Sequence, residues 1–184
     1  MKKFILLYIL LSVFAFIKVY GNEPDTVLSS PVEDRGYLVK VGDKAPDFTV
    51  KLTDGRVITL SELKGKIVML QFTASWCSVC RKEMPFIERD IWQAHKDNAD
   101  FVLIGIDRNE PLEQVNLFIK QTQITYPMGL DPDSNIFAKF ADRGAGVTRN
   151  VLIDKEGKIV KLTRLYNEEE FSSLVKKINE MLEK

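Results

Sequence analysis

Short apolar runs and polar alternations divide most of the chain into strands and turns. Residues 47–52 and 56–60 alternate apolar and polar positions on either side of an Asp-Gly pair, which predicts a β-hairpin with a tight turn. The next residues, 61–63, predict a single helical turn. Residues 66–73 and 101–106 are nearly continuous apolar runs, which indicates strands covered on both faces.

Helical patterns and a second hairpin follow these strands. Residues 81–95 predict a helix, and Pro85 is expected to kink it because proline has no N–H to donate. Residues 111–122 predict another helix. Residues 151–154 and 158–162 flank Lys-Glu-Gly and predict the second hairpin.

The last helix is expected to begin at Asn167, with Glu170 in the capping-box position. Its apolar side is formed by Phe171, Leu174, Val175, Ile178 and Leu182. Strands alternating with helices, followed by a hairpin and a helix, predict an α/β fold with a central mixed sheet flanked by helices on both faces. The chain shows no internal repeat.

The first residues have the pattern of a targeting signal. Two lysines precede a long apolar stretch, and Gly21 supplies a small residue at which a signal peptidase would cut. We expect residues 1–21 to be a cleaved signal peptide, with an uncleaved N-terminal membrane anchor as the alternative. The polar residues 22–37 predict a linker, and residues 38–184 predict one domain. Either alternative predicts a periplasmic or secreted protein in an oxidising compartment.

The composition limits the classes of partner that the chain is expected to bind. The 26 basic and 26 acidic residues cancel, so the chain lacks the basic field that nucleic-acid binding requires. At 45% hydrophobic and 28% charged residues, the composition is that of a globular chain with a sizeable core.

The candidate chemistry lies in Cys77 and Cys80, which are the only cysteines in the sequence. A Cys-x-x-Cys pair between a strand and a helix is typical of reversible thiol–disulfide exchange. We expect Cys77, at the helix start, to be the nucleophile, and Cys80 to resolve the mixed disulfide. Ser78 and Val79 provide neither a charged donor nor a histidine to stabilise a thiolate, which favours a reductant. Trp76 would either present a flat apolar surface to substrates or simply pack beside the turn.

The stretch from Gly65 to Pro85 resembles the active-site region of extracytoplasmic thioredoxin-fold proteins of the TlpA/ResA type. Two further segments carry the same resemblance, Val41–Phe48 (VGDKAPDF) and Leu152–Ile159 (LIDKEGKI). The resemblance implies a thioredoxin-like fold with an added N-terminal β-hairpin and a helix inserted in the middle of the domain. It also implies thiol–disulfide oxidoreductase activity without a cofactor. Its expected partners are proteins with disulfides, as clients, and a membrane thiol electron donor.

The resemblance also locates further site residues. Thioredoxin carries a buried aspartate where this chain has Gln71, and in the TlpA/ResA group a glutamate that follows the next strand aligns with Glu110. Glu110 is therefore a candidate general base for Cys80, or else a favourable acid in the first turn of its helix. Thr148 occupies the position of the usual cis-proline, and we expect its peptide bond to be trans. Arg149 would bind an anionic or peptide ligand near the sulfurs, or form a surface salt bridge.

Three other functions remain open on the sequence alone. Peroxiredoxins also lack that proline, but their Thr-x-x-Cys signature has Cys77 at its first position here. Metal binding, for example of copper, would need ligands beyond the two cysteines, and the only histidine is His95. A disulfide could also serve as a structural staple in a non-catalytic module.

Overall fold

The computed structural model describes residues 35–183 of the chain. The predicted signal peptide and almost all of the predicted linker lie outside these residues. The centre of the described part is a seven-stranded sheet with the strand order β2-β1-β5-β4-β3-β6-β7. The strands are β1 Thr49–Leu52, β2 Val57–Thr59, β3 Ile67–Thr73, β4 Phe101–Arg108, β5 Met128–Asp131, β6 Arg149–Ile153 and β7 Ile159–Arg164.

The sheet is mixed, as the sequence predicts. Strand β4 runs parallel to both of its neighbours, β3 and β5, while the other pairs are antiparallel. All seven residues of β3 are buried, which agrees with its continuous apolar sequence and its central place in the sheet. The predicted hairpins are β1–β2 and β6–β7.

The helices are α1 Ser78–Phe86, α2 Gln93–His95, α3 Leu112–Thr122, α4 Phe137–Phe140 and α5 Glu168–Leu182, and Leu60–Leu63 forms a 3-10 turn. Pro85 lies inside α1, and a π-helical segment, Ile87–Trp92, follows it directly. The Ile87 N–H donates to the carbonyls of both Glu83 and Met84. The predicted irregularity after Pro85 therefore takes the form of a widened helical turn, because the proline cannot supply its own bond to the ladder.

The sequence patterns missed two elements, β5 and α4. Strand β5 has four residues and contains Gly129, whose Cα faces Val50 so closely that a Cβ would lie 2.4 Å from its Cγ2. A short strand with a glycine carries little of the β-branched, alternating signal on which strand prediction depends. Helix α4 is a single turn, too short to show a 3.6-residue period.

Different side chains and helices pack on the two faces of the sheet. On one face Phe72 of β3 packs edge-on against Phe137, with ring centroids 5.5 Å apart, and in a tilted arrangement against Phe140 at 5.4 Å. The neighbouring β3 side chains, Gln71 and Thr73, point to the opposite face because successive residues alternate along a strand. That opposite face carries α1, since the Thr73 hydroxyl contacts the Met84 sulfur at 3.6 Å.

Helix α5 begins as predicted. The Asn167 side chain accepts the Glu170 N–H at 2.9 Å, while the Glu170 carboxylate pairs with Arg35 at 2.7 Å. Three of the predicted apolar residues are buried, and the other two pack against the core from its margin. In residues 35–183 no helix combines the length and the apolar character needed to cross a bilayer.

Candidate active site

The two cysteines lie where β3 passes into α1. Cys77 is the N-cap of α1, with extended backbone angles (φ −86°, ψ 106°). Its sulfur accepts the Cys80 N–H at 3.2 Å, which satisfies one of the donors that a helix start leaves free. Both residues are free thiols, and Cys77 keeps 9% of its surface exposed whereas Cys80 keeps none.

This geometry separates the acidities of the two thiols. The pKa of Cys77 is lowered to about 6, first by the hydrogen bond from the Cys80 thiol, then by Thr148 and by the backbone N–H groups of Cys80 and Val79. The pKa of Cys80 is raised well above its usual range, first by its hydrogen bond to Cys77 and then by burial. At neutral pH the pair therefore holds one thiolate, at Cys77, and one thiol, at Cys80.

Thr148 lies against both sulfurs. Its Oγ1 is 3.1 Å from the Cys77 sulfur and 3.3 Å from the Cys80 sulfur. No peptide bond among the described residues is cis, which confirms the expected trans bond at this position. The structure thus brings the residue at the usual proline position into direct contact with the reacting atoms.

Exposed apolar side chains surround the entrance to Cys77. Trp76, which directly precedes Cys77 in the chain, keeps 65% of its surface exposed. Leu165 is 43% exposed and has a left-handed backbone (φ 62°). Its N–H donates to the Thr148 carbonyl at 3.1 Å, which places it next to the site. Holding a leucine exposed in this left-handed conformation costs free energy.

Ser75 holds the loop that carries Trp76 and Cys77. Its N–H and its hydroxyl donate to the two oxygens of Glu110, at 2.5 and 2.6 Å. Its carbonyl accepts from the Arg81 guanidinium at 2.7 Å, and its hydroxyl accepts from Gln114 at 2.8 Å. Glu110 therefore binds the chain at Ser75, two residues before Cys77, but shows no hydrogen bond to either sulfur.

Asp107 is a second carboxyl group at this end of β4. Its side chain is fully buried, and neither of its oxygens has a hydrogen-bond partner among the described residues. Burial, and then the charge of nearby Glu110, raises the pKa of Asp107 to about 8. This group is consequently held mostly protonated at neutral pH.

Glu83 is a site residue that the sequence patterns missed. It is 1% exposed, and its Oε1 accepts from the Asn150 amide at 2.7 Å. Burial raises the pKa of Glu83 to about 7 against the opposing effect of Asn150, and the charge on Cys77 raises it further. Its spacing from Cys80 could have identified it, because a residue three places after Cys80 lies on the same side of the helix.

Gln71 stands beside this buried glutamate. Its register partner across the sheet is Asn150, and its Oε1 accepts the Tyr126 hydroxyl at 2.6 Å. Thioredoxin has its buried acid at the Gln71 position, as noted above. Here the acidic group beneath the cysteines comes from α1 instead of β3.

Arg149 does not point toward the sulfurs and does not form a surface salt bridge. It is fully buried, on the same face as its register partner Phe72. The guanidinium donates to the Gly146 carbonyl at 3.0 Å and to the Arg35 carbonyl, and it lies 4.3 Å from the centre of the Tyr37 ring. Strand alternation is the reason, because adjacent Asn150 faces Glu83 and Arg149 must face the other side.

The described residues contain no group of three or more His, Cys, Asp or Glu side chains arranged to hold a metal ion. His95 hydrogen-bonds Asn179 at 2.8 Å and packs edge-on against Phe101. Its contacts are thus with α5 and β4.

A thioredoxin-like fold with a dithiol at a strand-to-helix junction defines a thiol–disulfide oxidoreductase. The chain belongs to the Redoxin family, whose model matches residues 40–178. It is 33% identical to the thiol-disulfide oxidoreductase ResA of Bacillus cereus over 122 residues, which are 66% of this chain and 68% of the relative. It is 31% identical to the ResA of Halalkalibacterium halodurans over 152 residues, 83% and 82% of the two chains.

Solved structures agree with this assignment. A candidate protein disulfide isomerase from Bacteroides thetaiotaomicron, known from a solution structure, is 73% identical with a TM-score of 0.79, and the match covers 81% of this chain and 94% of that one. A candidate thiol:disulfide interchange protein DsbE from Chlorobium tepidum is 25% identical with a TM-score of 0.67, covering 78% and 99%. The expected thioredoxin-like fold, with its added hairpin and inserted helix, is thereby confirmed.

Proposed function

We propose that this oxidoreductase works outside the cytoplasm and reduces disulfide bonds in proteins through the Cys77–Cys80 couple. The observation that carries the proposal is the difference in acidity and burial between the two thiols. Cys77 is acidic and keeps 9% of its surface exposed next to Trp76 in the chain, while Cys80 is fully buried and kept protonated. An acidic attacking thiol with some surface left open and a fully buried resolving thiol that stays protonated suit two-step exchange.

The reaction balances as follows. The Cys77 thiolate attacks one sulfur of the client disulfide, forms a mixed disulfide, and expels the other client sulfur as a thiolate. Cys80 then loses its proton and attacks the Cys77 sulfur, which forms the Cys77–Cys80 disulfide and expels the second client thiolate. Two electrons pass from the dithiol to the client, and a membrane thiol donor would return the protein to the reduced form by the reverse exchange.

The proton of Cys80 needs an acceptor, and we assign this role to Glu83. Its pKa of about 7 suits proton transfer at neutral pH, and it lies one helical turn after Cys80. Glu110 was the candidate from the sequence, but both of its oxygens are used by Ser75. We propose that Glu110 positions the loop before Cys77.

Single-turnover reduction of a mixed disulfide at Cys77 distinguishes these two carboxyl groups. Replacing the acceptor should abolish the pH dependence of the resolving step between pH 6 and 8, and Glu83→Gln is expected to do so. Glu110→Gln is expected to change the rate without removing the pH dependence. The reverse pattern would return the role of base to Glu110.

The sequence and the surface support the proposed compartment and the proposed polypeptide clients. The lysine-led apolar segment in residues 1–21 supports export, and an oxidising compartment supplies disulfides to reduce. The exposed Trp76 and Leu165 beside the nucleophile support a polypeptide client, because apolar side chains exposed at a site contribute to binding when a partner covers them.

Insulin reduction and mixed-disulfide trapping test the proposal together. The reduced protein is expected to precipitate insulin, and Cys80→Ala is expected to capture clients from an extracytoplasmic extract as mixed disulfides that a reductant releases. Cys77→Ala is the matched control and should capture nothing. A reduced protein that leaves insulin intact, with a Cys77 inert to alkylation at neutral pH, would contradict the proposal.

Peroxidase activity has less support in the site. The peroxiredoxin pattern would make Cys80 the peroxide-reactive sulfur, yet Cys80 is fully buried and its pKa is raised. The arginine that follows Thr148 lies on the other face of the sheet. Hydrogen peroxide consumption by the Cys77→Ala variant, which keeps Cys80, is expected to stay at background.

A further inference from the structure

The residue at the usual proline position makes contacts that a proline has no group to make. Thr148 Oγ1 lies within hydrogen-bond distance of both sulfurs, at 3.1 Å from Cys77 and 3.3 Å from Cys80. The hydroxyl is buried, since Thr148 is 2% exposed, so its hydrogen bonds are made with these sulfurs and not with bulk solvent. A proline there would provide no donor to either sulfur.

The direction of these bonds follows from counting protons. With Cys77 as the thiolate, the three atoms share two protons, one on Cys80 and one on Thr148. The Cys80 proton points either to Cys77 directly or to the Thr148 oxygen. In both arrangements the Thr148 hydrogen is directed to the Cys77 sulfur, because that sulfur carries the charge and donates nothing.

We infer that Thr148 is a catalytic residue that donates a hydrogen bond to the Cys77 thiolate and so makes Cys77 more acidic and the couple more oxidising. The hydroxyl adds a side-chain donor to the backbone N–H groups of Cys80 and Val79 that already face the thiolate. The bond is charge-assisted only in the reduced protein, since neither sulfur of the Cys77–Cys80 disulfide is charged. Stabilising the reduced form raises the reduction potential.

This inference rests on the proposed role of Cys77 as the attacking thiolate, but its test needs no client protein. The measurement is the rate at which iodoacetamide alkylates Cys77 between pH 4 and pH 9. Every variant keeps Cys80, so that both sulfurs stay in place. Thr148→Val removes the hydroxyl and keeps the branched shape, whereas Thr148→Ser keeps the hydroxyl. Thr49→Val, at an exposed threonine on β1, is the matched control.

Other charged and titratable groups near the pair remain the same in all of these variants. They are Glu83 and Arg81 on α1, Asp107 at the end of β4, Glu110 before α3, and Tyr126 before β5. A change in the alkylation profile that Thr148→Val shows and Thr148→Ser does not therefore reports the hydroxyl itself.

We expect Thr148→Val to lower the alkylation rate at pH 5 about tenfold and to move the midpoint of the pH profile upward by about one pH unit. Thr148→Ser should stay within about twofold of the wild type. In equilibrium with glutathione, a tenfold change in the equilibrium constant corresponds to a potential about 30 mV more reducing for the valine variant.

Two results would overturn the inference. One is a valine variant with the wild-type pH profile, and the other is a serine variant as impaired as the valine variant, which would assign the effect to shape. If Thr148→Val does not fold, as judged by its unfolding curve, Thr148→Ala carries the same comparison with Thr148→Ser. An active alkylation response with no insulin reduction would leave this inference in place and remove the proposed function.

Discussion

Replacing Glu83 by glutamine should remove a large pH dependence from the stability of the protein. The glutamate is 1% exposed, and burial raises its pKa from 4.5 to about 7. Glutamine has nearly the same volume and can still accept the hydrogen bond from Asn150. The substitution therefore removes the titration while changing the packing little.

The magnitude follows from the interval between the two pKa values. From pH 4.5 to about 7 the unfolded chain has lost the Glu83 proton while the folded chain still holds it, so the free energy of unfolding falls as the pH rises. At about 1.36 kcal/mol per pH unit, the contribution sums to a loss of about 3 kcal/mol. The loss is complete above pH 7, where both states are ionised.

Urea unfolding of the reduced protein between pH 4.5 and 8.5 measures this contribution. The difference in unfolding free energy between Glu83→Gln and wild type cancels the titration of the groups that do not interact with Glu83. The charge on Cys77 does interact with Glu83 and is part of the effect that is measured. We expect that difference to move by about 3 kcal/mol in favour of the variant between pH 4.5 and 7.5. Glu113→Gln, at an exposed glutamate in the first turn of α3, is the control and should show a nearly constant difference.

The disulfide form provides a second comparison. Oxidation removes the Cys77 charge that helps to raise the pKa of Glu83, so the pH-dependent difference should be smaller in the oxidised protein. A difference that stays within about 0.5 kcal/mol over the whole range would refute the reasoning, because it would show that Glu83 titrates alike in the folded and unfolded chains.

Three further outcomes are expected. Asp107→Asn should gain more than about 2 kcal/mol of stability relative to wild type between pH 5 and pH 9, measured by urea unfolding, because burial and the charge of Glu110 raise the pKa of Asp107 to about 8; a constant difference would contradict this. Trp76→Ala should lower kcat/KM for insulin about tenfold and leave the reduction of a small aromatic disulfide within about twofold, while Leu117→Ala, at another exposed apolar residue, should change neither. Arg149→Met should lower the unfolding free energy by about 3 kcal/mol, because its buried guanidinium donates to backbone carbonyls; unchanged stability with a raised KM would instead assign the arginine to ligand binding.

The sequence predicts most of the fold because its strong elements carry strong patterns. Strand β3 is continuous and apolar, and α5 has both a cap residue and an apolar stripe, so each is specified locally. Strand β5 could not be found this way, because its four residues are positioned by pairing with β1 and β4. Its local sequence alone does not distinguish it from a loop.

The residues of the candidate site also fall into those that the local sequence predicts and those that depend on the packing of the fold. Cys77 and Cys80 are predicted from their motif and Thr148 from the family resemblance, and the structure places the Thr148 hydroxyl against both sulfurs. Glu83 was missed because a charged residue after Arg81 and Lys82 is typical of a solvated helix face, and only the packing of α1 on the sheet reveals its burial. Arg149 was misplaced because the side to which a strand residue points depends on register, which the residue type does not indicate.

The buried polar cluster of Gln71, Glu83 and Asn150 also limits the order in which these residues can be substituted in related sequences. Gln71 and Glu83 approach each other through Asn150, so the two positions are coupled and are expected to be non-additive in a double-mutant cycle. Introducing aspartate at position 71 while Glu83 is present would place two carboxyl groups in one dry space, whereas losing Glu83 first leaves a neutral but foldable intermediate. Evolution between an acid at position 83 and an acid at position 71 is therefore expected to pass through an intermediate that has neither. Given the proposed role of Glu83, this intermediate is expected to be a slower enzyme.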